Sequence, residues 1–207
     1  MQKKYAFVSD YARFDILYEH GGLYFDTDVE VMKSMDKIIE QGAFAGVEFP
    51  WKLNAGLGLA SPAATPIYKE ILDSYKNSSF IDEKGQMDLT TVVTRVSDIF
   101  KKYGFTDENR IQKIENVTIY PAEYFCPKDF ITGNIFVTDN TYTIHHYDSS
   151  WCSSYEKYVS QRTHTIYARF GKNIFAKLLV ICFRIGSKLK EYGFSKTMKY
   201  YFKGEKL

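Results

Sequence analysis

The chain has 207 residues, 45% of them hydrophobic, with 17 Tyr and 16 Phe, which suits one sizeable packed core and excludes a disordered or fibrous protein. Its three cysteines, Cys126, Cys152 and Cys182, are scattered with no CxxC spacing, so a reducing compartment is expected and neither a disulfide framework nor a zinc site is. Net charge is +2, yet residues 171–207 hold nine Lys/Arg against two Glu while residues 1–170 hold 18 against 23, an acidic body with a basic tail.

The opening MQKKYAFVSD has no apolar h-region, so no signal peptide is expected. Residues 9–20, SDYARFDILYEH, predict a helix with Ser9 at the N-cap, Asp10 in the first turn, and Phe14, Leu17 and Tyr18 as its apolar stripe. Gly21 and Gly22 end it, because glycine accepts the left-handed conformation that closes helices. Leu23 to Phe25 and Val29 to Val31 read as extended pieces, so Asp26 and Asp28 sit where a strand leaves the core.

Strands or strand–loop pieces are expected at 42–48 and 53–61, then a helix introduced by Pro62 and Pro66 with Ile67, Ile71, Leu72 and Tyr75 on one face. SSFIDEKGQ reads as a loop, and Leu89, Val93, Val96, Phe100 and Tyr103 mark a further helix stopped by Gly104. VTIYP (117–121) and TYTIHHY (141–147) are strand-like, and alternation of helices with strands predicts an α/β domain. From 174 onward Phe175, Leu178, Leu179, Cys182, Ile185 and Leu189 recur at helical spacing, with Lys177, Arg184 and Lys188 on the other side. That apolar run is well short of the roughly 20 residues that span a bilayer. This basic amphipathic helix either docks on its own domain or lies on a membrane surface facing anionic lipid.

On a continuing strand, Asp26 and Asp28 would point the same way, roughly 6–7 Å apart along the chain. Like charges that close raise each other's pKa unless a cation compensates. Mg²⁺ or Mn²⁺ is the natural compensator, and would in turn hold phosphates. A pair of turn aspartates capping the next element would give the same pattern. Asp10 and Arg13, one helical turn apart, read either as a simple surface ion pair or as a polar pair lining the same cleft.

The stretch SDYARFDILYEHGGLYFDTDVEV resembles the D-x-D sugar-binding region of glycosyltransferase family 32. Ser9, Asp10, Arg13, Leu17, Gly21, Gly22, Tyr24, Asp26 and Asp28 fit its pattern S/A-D-x-x-R-x-x-x-L-x-x-x-G-G-x-Y-x-D-x-D in order. A second stretch, IYPAEYFCPKDF followed by TDNTYTIHHYDSSW, is similar to bacterial capsule and surface-polysaccharide members. The resemblance implies a GT-A fold over residues 1–155, followed by a helical basic tail, 156–207. It implies a metal-dependent retaining transferase that moves a sugar from a UDP- or GDP-sugar donor to a glycan or lipid-linked acceptor.

By carry-over, Asp10 and Arg13 hold the donor sugar, Asp26 contacts ribose, sugar or metal, and Asp28 is the direct Mn²⁺ or Mg²⁺ ligand. His146 or His145 completes the metal shell, with Ser150 and Trp151 at the leaving diphosphate. Asn54 is a candidate for sugar hydroxyls, or an ordinary turn Asn beside glycine. No carboxylate nucleophile stands out. The expected location is cytoplasmic, peripheral at the inner face of the membrane, and nucleic-acid binding is not expected because the body is acidic and the basic tail carries no known motif.

The chain departs from the family at its start. Only 22 residues precede Leu23, less than one βαβ unit of roughly 30 residues, so a chain cut short, or a nucleotide half supplied by another chain, is expected, with an exposed apolar sheet edge. There are two rival readings: a remnant that binds sugar nucleotide or a partner without turnover, and a D-x-D phosphatase of the haloacid dehalogenase type. The phosphatase needs a later acidic pair, and no DD or GDxxxD occurs.

Overall fold

The computed structural model describes residues 5–76, 90–148 and 152–203. They divide into two compact units, one of residues 1–128 and 135–148, the other of 129–134 and 149–207.

The first unit opens with α1 (Tyr5–His20), four residues earlier than expected, so Ser9 lies inside the helix and does not cap it. Phe14 and Leu17 are buried on its inner side. At Gly21 the chain turns with φ of 67°, and a β-carbon there would stand 2.7 Å from the backbone nitrogen of Ala63, which leaves room for glycine alone. Strand β1 (Gly22–Tyr24) follows, then β2 (Val29–Val31) and the short α2 (Asp36–Ile39). The expected pieces at 42–48 and 53–61 are β3 (Ala43–Glu48) and β4 (Lys52–Ser61), paired antiparallel.

Helix α3 (Pro66–Lys76) buries Ile67, Tyr68, Ile71 and Leu72, the face its periodicity predicts. Helix α4 (Val92–Lys101) is capped by the Thr91 hydroxyl, which accepts from the Thr94 N–H, and buries Val96 and Phe100. Leu89, expected on this helix, and the expected loop at 78–86 lie outside the described residues. Strands β5 (Gln112–Ile114) and β6 (Val117–Tyr120), helix α5 (Ala122–Phe125) and strand β7 (Thr143–His145) complete the unit. The β7 strand is shorter than the 141–147 expected.

These elements make a mixed α/β layer structure. The main sheet runs β1-β4-β3-β6-β5, with β3 and β6 parallel and the other pairs antiparallel. Strands β2 and β7 form a separate antiparallel pair. One core joins Ala45, Val47, Leu53 and Leu59 to α1, α3 and α4, and a smaller one joins Phe44, Leu57 and Tyr120 to Phe125 and Met35. Alternating side chains of β3 thus feed opposite faces, as the pleat requires. Strand β1 is an edge strand among the described residues, with Leu23 exposed.

The second unit contains α6 (Ser154–Phe170) and α7 (Ile174–Lys203), which pack together. Ser153 and Glu156 form a reciprocal capping box at the start of α6. Helix α7 breaks at Gly193. Its stripe differs from the expected one: Ala176 and Val180 are buried and the Phe183 ring lies 6.0 Å from Tyr158, whereas Phe175, Leu178, Cys182 and Ile185 are exposed. Periodicity found the helix, but α7 is apolar on two sides, and packing on α6 chooses between them. Among the described residues no helix is long and apolar enough to cross a membrane.

Candidate metal centre

Strand β1 ends at Tyr24 and β2 starts at Val29, so Asp26 and Asp28 lie in the turn between them, and the Val29 N–H donates to the Asp26 carbonyl at 3.2 Å. One ligand atom each from Asp26, Asp28 and His145 lies within 4.8 Å of the others. Pairing of β2 with β7 sets Val29 opposite His145, which delivers the imidazole. His145 Nε2 stands 3.2 Å from Asp28 Oδ1, and Asp28 Oδ2 accepts from the Asp148 N–H at 2.9 Å. The ring is buried, and among the described residues its Nδ1 has no hydrogen-bond partner.

Arg13 supplies the positive charge beside this group. Its Nη2 donates to Asp10 Oδ1 at 2.9 Å, its Nε donates to the Ser9 carbonyl, and its Nη1 lies 3.3 Å from Asp26 Oδ1. Its guanidinium sits over the Tyr24 ring, 4.8 Å from the centroid, while the Tyr24 hydroxyl donates to Asp26 Oδ1 at 2.7 Å. Arg13 is 4% exposed, so it acts first on the two carboxylates it touches. Burial pushes the Asp10 carboxyl up to about 6, with Arg13 opposing the rise and Asp26 adding to it. Burial also raises the Tyr24 hydroxyl, keeping it a proton donor.

A second layer holds Asp26 from behind. Ala45 pairs with Leu59 and Gly46 with Asn54, so residues 55–58 bulge out of the β3–β4 ladder. Gly56 in this bulge accepts the Asp26 N–H at 3.0 Å, and a β-carbon on it would come 2.0 Å from Asp26 Oδ2. The Asn54 amide oxygen accepts the Gly56 N–H at 2.8 Å, and its NH₂ donates to Glu48 at 2.9 Å. Glu48 also accepts the Tyr147 hydroxyl at 2.7 Å, and the Tyr147 ring lies 4.2 Å from that of His145. Tyr147 adopts φ of 57°, an uncommon conformation for a non-glycine residue and one that collects at functional sites. Cys126 Sγ approaches the same hydroxyl at 2.9 Å, and burial pushes its thiol up to about 12.

The structure therefore gathers Asp10, Arg13, Asp26 and Asp28 and adds His145. His146, the other ring of the pair, instead meets Glu30 at 2.8 Å on the neighbouring strand. Asn54 turns both ends of its amide onto Gly56 and Glu48, an interior role that sequence reasoning did not foresee. Ser150 and Trp151 lie outside the described residues. Gly56, Glu48 and Tyr147 were missed as site residues. Of these, only Tyr147 carries a signal in the sequence, since it lies two residues past His145 within the stretch expected to be strand-like.

Two carboxylates and an imidazole at this spacing fit a hard or borderline divalent cation, and three protein donors leave an octahedral ion positions for other oxygens. Among the described residues the buried Nδ1 lacks a hydrogen-bond partner, so the ring's hydrogen bonding is incomplete there. Residues 1–45, which include Asp10, Arg13, Asp26 and Asp28, match the family model described as glycosyltransferase sugar-binding region containing DXD motif. No curated protein and no solved structure matches the chain.

Proposed function

We propose that the sheet-containing unit is the catalytic part of a metal-dependent, retaining family 32 glycosyltransferase with a GT-A fold. It passes a sugar from a UDP- or GDP-sugar to a glycan or lipid-linked acceptor. One observation carries this reading: Asp26 and Asp28, inside the stretch that matches a glycosyltransferase sugar-binding region, converge with His145 to within 4.8 Å. Asp26, Asp28 and His145 would hold Mn²⁺ or Mg²⁺, with His146 retained for Glu30.

A divalent cation there supplies charge neutralisation for a departing diphosphate. Arg13 bridges the Asp26 and Asp10 carboxylates, and Asp10 and Arg13 are assigned to the donor sugar. Asn54 and Gly56 set the depth of Asp26, and Tyr147 steadies the His145 ring. The sheet unit, residues 1–128 and 135–148, is taken as the catalytic region expected over 1–155, and α6 with α7 as the basic tail expected over 156–207. Among the described residues β1 is an edge strand of the main sheet. The scattered cysteine spacing, without a CxxC pair, fits a cytoplasmic location.

The test is calorimetric titration of the full chain with UDP and GDP, with and without Mn²⁺, followed by assays of UDP- and GDP-sugar hydrolysis. Nucleoside diphosphate should bind only with the metal, and Asp28→Asn should lower turnover by about 10² or more with the melting transition unchanged. Binding without any turnover would favour a binding module, and no metal-dependent binding would end the reading.

A further inference from the structure

We propose that α7 docks on an anionic lipid surface through the apolar ridge it turns away from α6. Ala176, Val180 and Phe183 face α6, and at about 100° per residue the side opposite them carries Ile174, Leu178, Ile181 and Ile185. These four are 73%, 55%, 52% and 37% exposed. An ordinary surface helix is polar on that side, and a contiguous exposed apolar patch marks an interaction surface.

Charge selects the occupant. Lys177 and Arg184 are exposed on one flank of the ridge, and residues 171–207 hold nine Lys/Arg against two Glu. A second copy of the helix would bring like charges together in a two-fold contact, whereas an anionic bilayer complements them. Long basic side chains lie along apolar surface with their heads at phosphate level. Beyond the break at Gly193, Phe194 and Phe202 are 70% and 78% exposed, beside Lys196 and Lys199. The helix is not apolar enough to cross a membrane, so it would lie in the interface. This inference stands on α7 and is independent of the metal centre.

The test floats the full chain with vesicles of phosphatidylcholine alone and of phosphatidylcholine with about one third phosphatidylglycerol. Wild type should float with the anionic vesicles, much less with the neutral ones, and less again at about 0.5 M salt. Ile181→Glu/Ile185→Glu and Lys177→Glu/Arg184→Glu should each weaken binding at least about tenfold, with helical circular dichroism unchanged. Absence of wild-type flotation, equal flotation with both lipids, or unaltered flotation of both variants overturns the proposal. So does a wild-type dimer that Ile181→Glu converts to monomer, since a second copy would then cover the ridge.

Discussion

The two units use their apolar side chains differently. In the sheet unit, Val47, Leu57, Val117 and Ile119 have no exposed surface, because helices or loops cover both faces of the central strands. In the helical unit α7 buries Ala176 and Val180, and its second apolar stripe is exposed among the described residues. Their polar groups differ in the same way. Around Asp26 the groups of Arg13, Tyr24, Gly56, Asn54 and Glu48 fix one another, and each has little freedom to move alone. On α7, Lys177 and Arg184 stand in solvent. Chemistry that needs placement within a fraction of an ångström belongs on the first kind of surface, and adhesion that needs only area and charge on the second.

Gly56→Ala strikes the interlocked side of this comparison hardest. A β-carbon 2.0 Å from Asp26 Oδ2 cannot be accommodated unless the carboxylate moves, and the carboxylate is pinned by Arg13 and Tyr24. Mn²⁺ affinity should fall by about 10–100-fold, the range seen when the support of a metal ligand is removed. The same substitution in an Asp26→Ala background should cost little further stability, since the clash is gone. Equal destabilisation in both backgrounds would show that Gly56 serves the bulge and not the aspartate.

Asp10 sharpens the comparison through pH. Its carboxyl has a folded value of about 6 against 3.8 unfolded, so the neutral form is favoured in the fold. Its contribution to stability is therefore complete below about pH 3.8 and lost as pH rises past about 6, up to ~2–3 kcal/mol in all. Asp10→Asn keeps an acceptor for Arg13 and removes the titration. Its urea midpoint should gain on that of wild type as pH rises between about 4 and 7. Parallel midpoints over that range would mean that Asp10 is better solvated than its burial indicates.

The D-x-D pair, Asp10 and Arg13 were legible because they are local: one helical turn and one short turn decide where they go. The choice of His145 over His146 was not, since it depends on the register that sets Val29 opposite His145 across 116 positions of chain. Gly56 was hidden for a related reason. Nothing in LNAGLGLAS says which residues leave the ladder, and only pairing with β3 singles out 55–58. Ser9 looked like a cap because serine favours that position, but helical residues continue before it to Tyr5, and its carbonyl serves Arg13 instead. On α7 the helical period was plain. Two apolar stripes satisfy one period, however, and only a partner helix distinguishes them.

That ambiguity sets the last prediction, on adjacent residues of α7. Val180 is 4% exposed and Ile181 is 52% exposed, one step apart on the helix. Val180→Ala removes two buried methyl groups beside α6 and should cost about 1–2 kcal/mol in a denaturant titration. Ile181→Ala removes a larger side chain from solvent and should stay within about 0.5 kcal/mol, with a slight gain from helix propensity. The larger hydrophobe thus gives the smaller effect, the reverse of what composition or periodicity alone would rank. If Ile181→Ala costs as much as Val180→Ala in dilute, lipid-free solution, the ridge is already covered by protein, and the contrast between an enclosed sheet and an open helix fails at the point where it matters most.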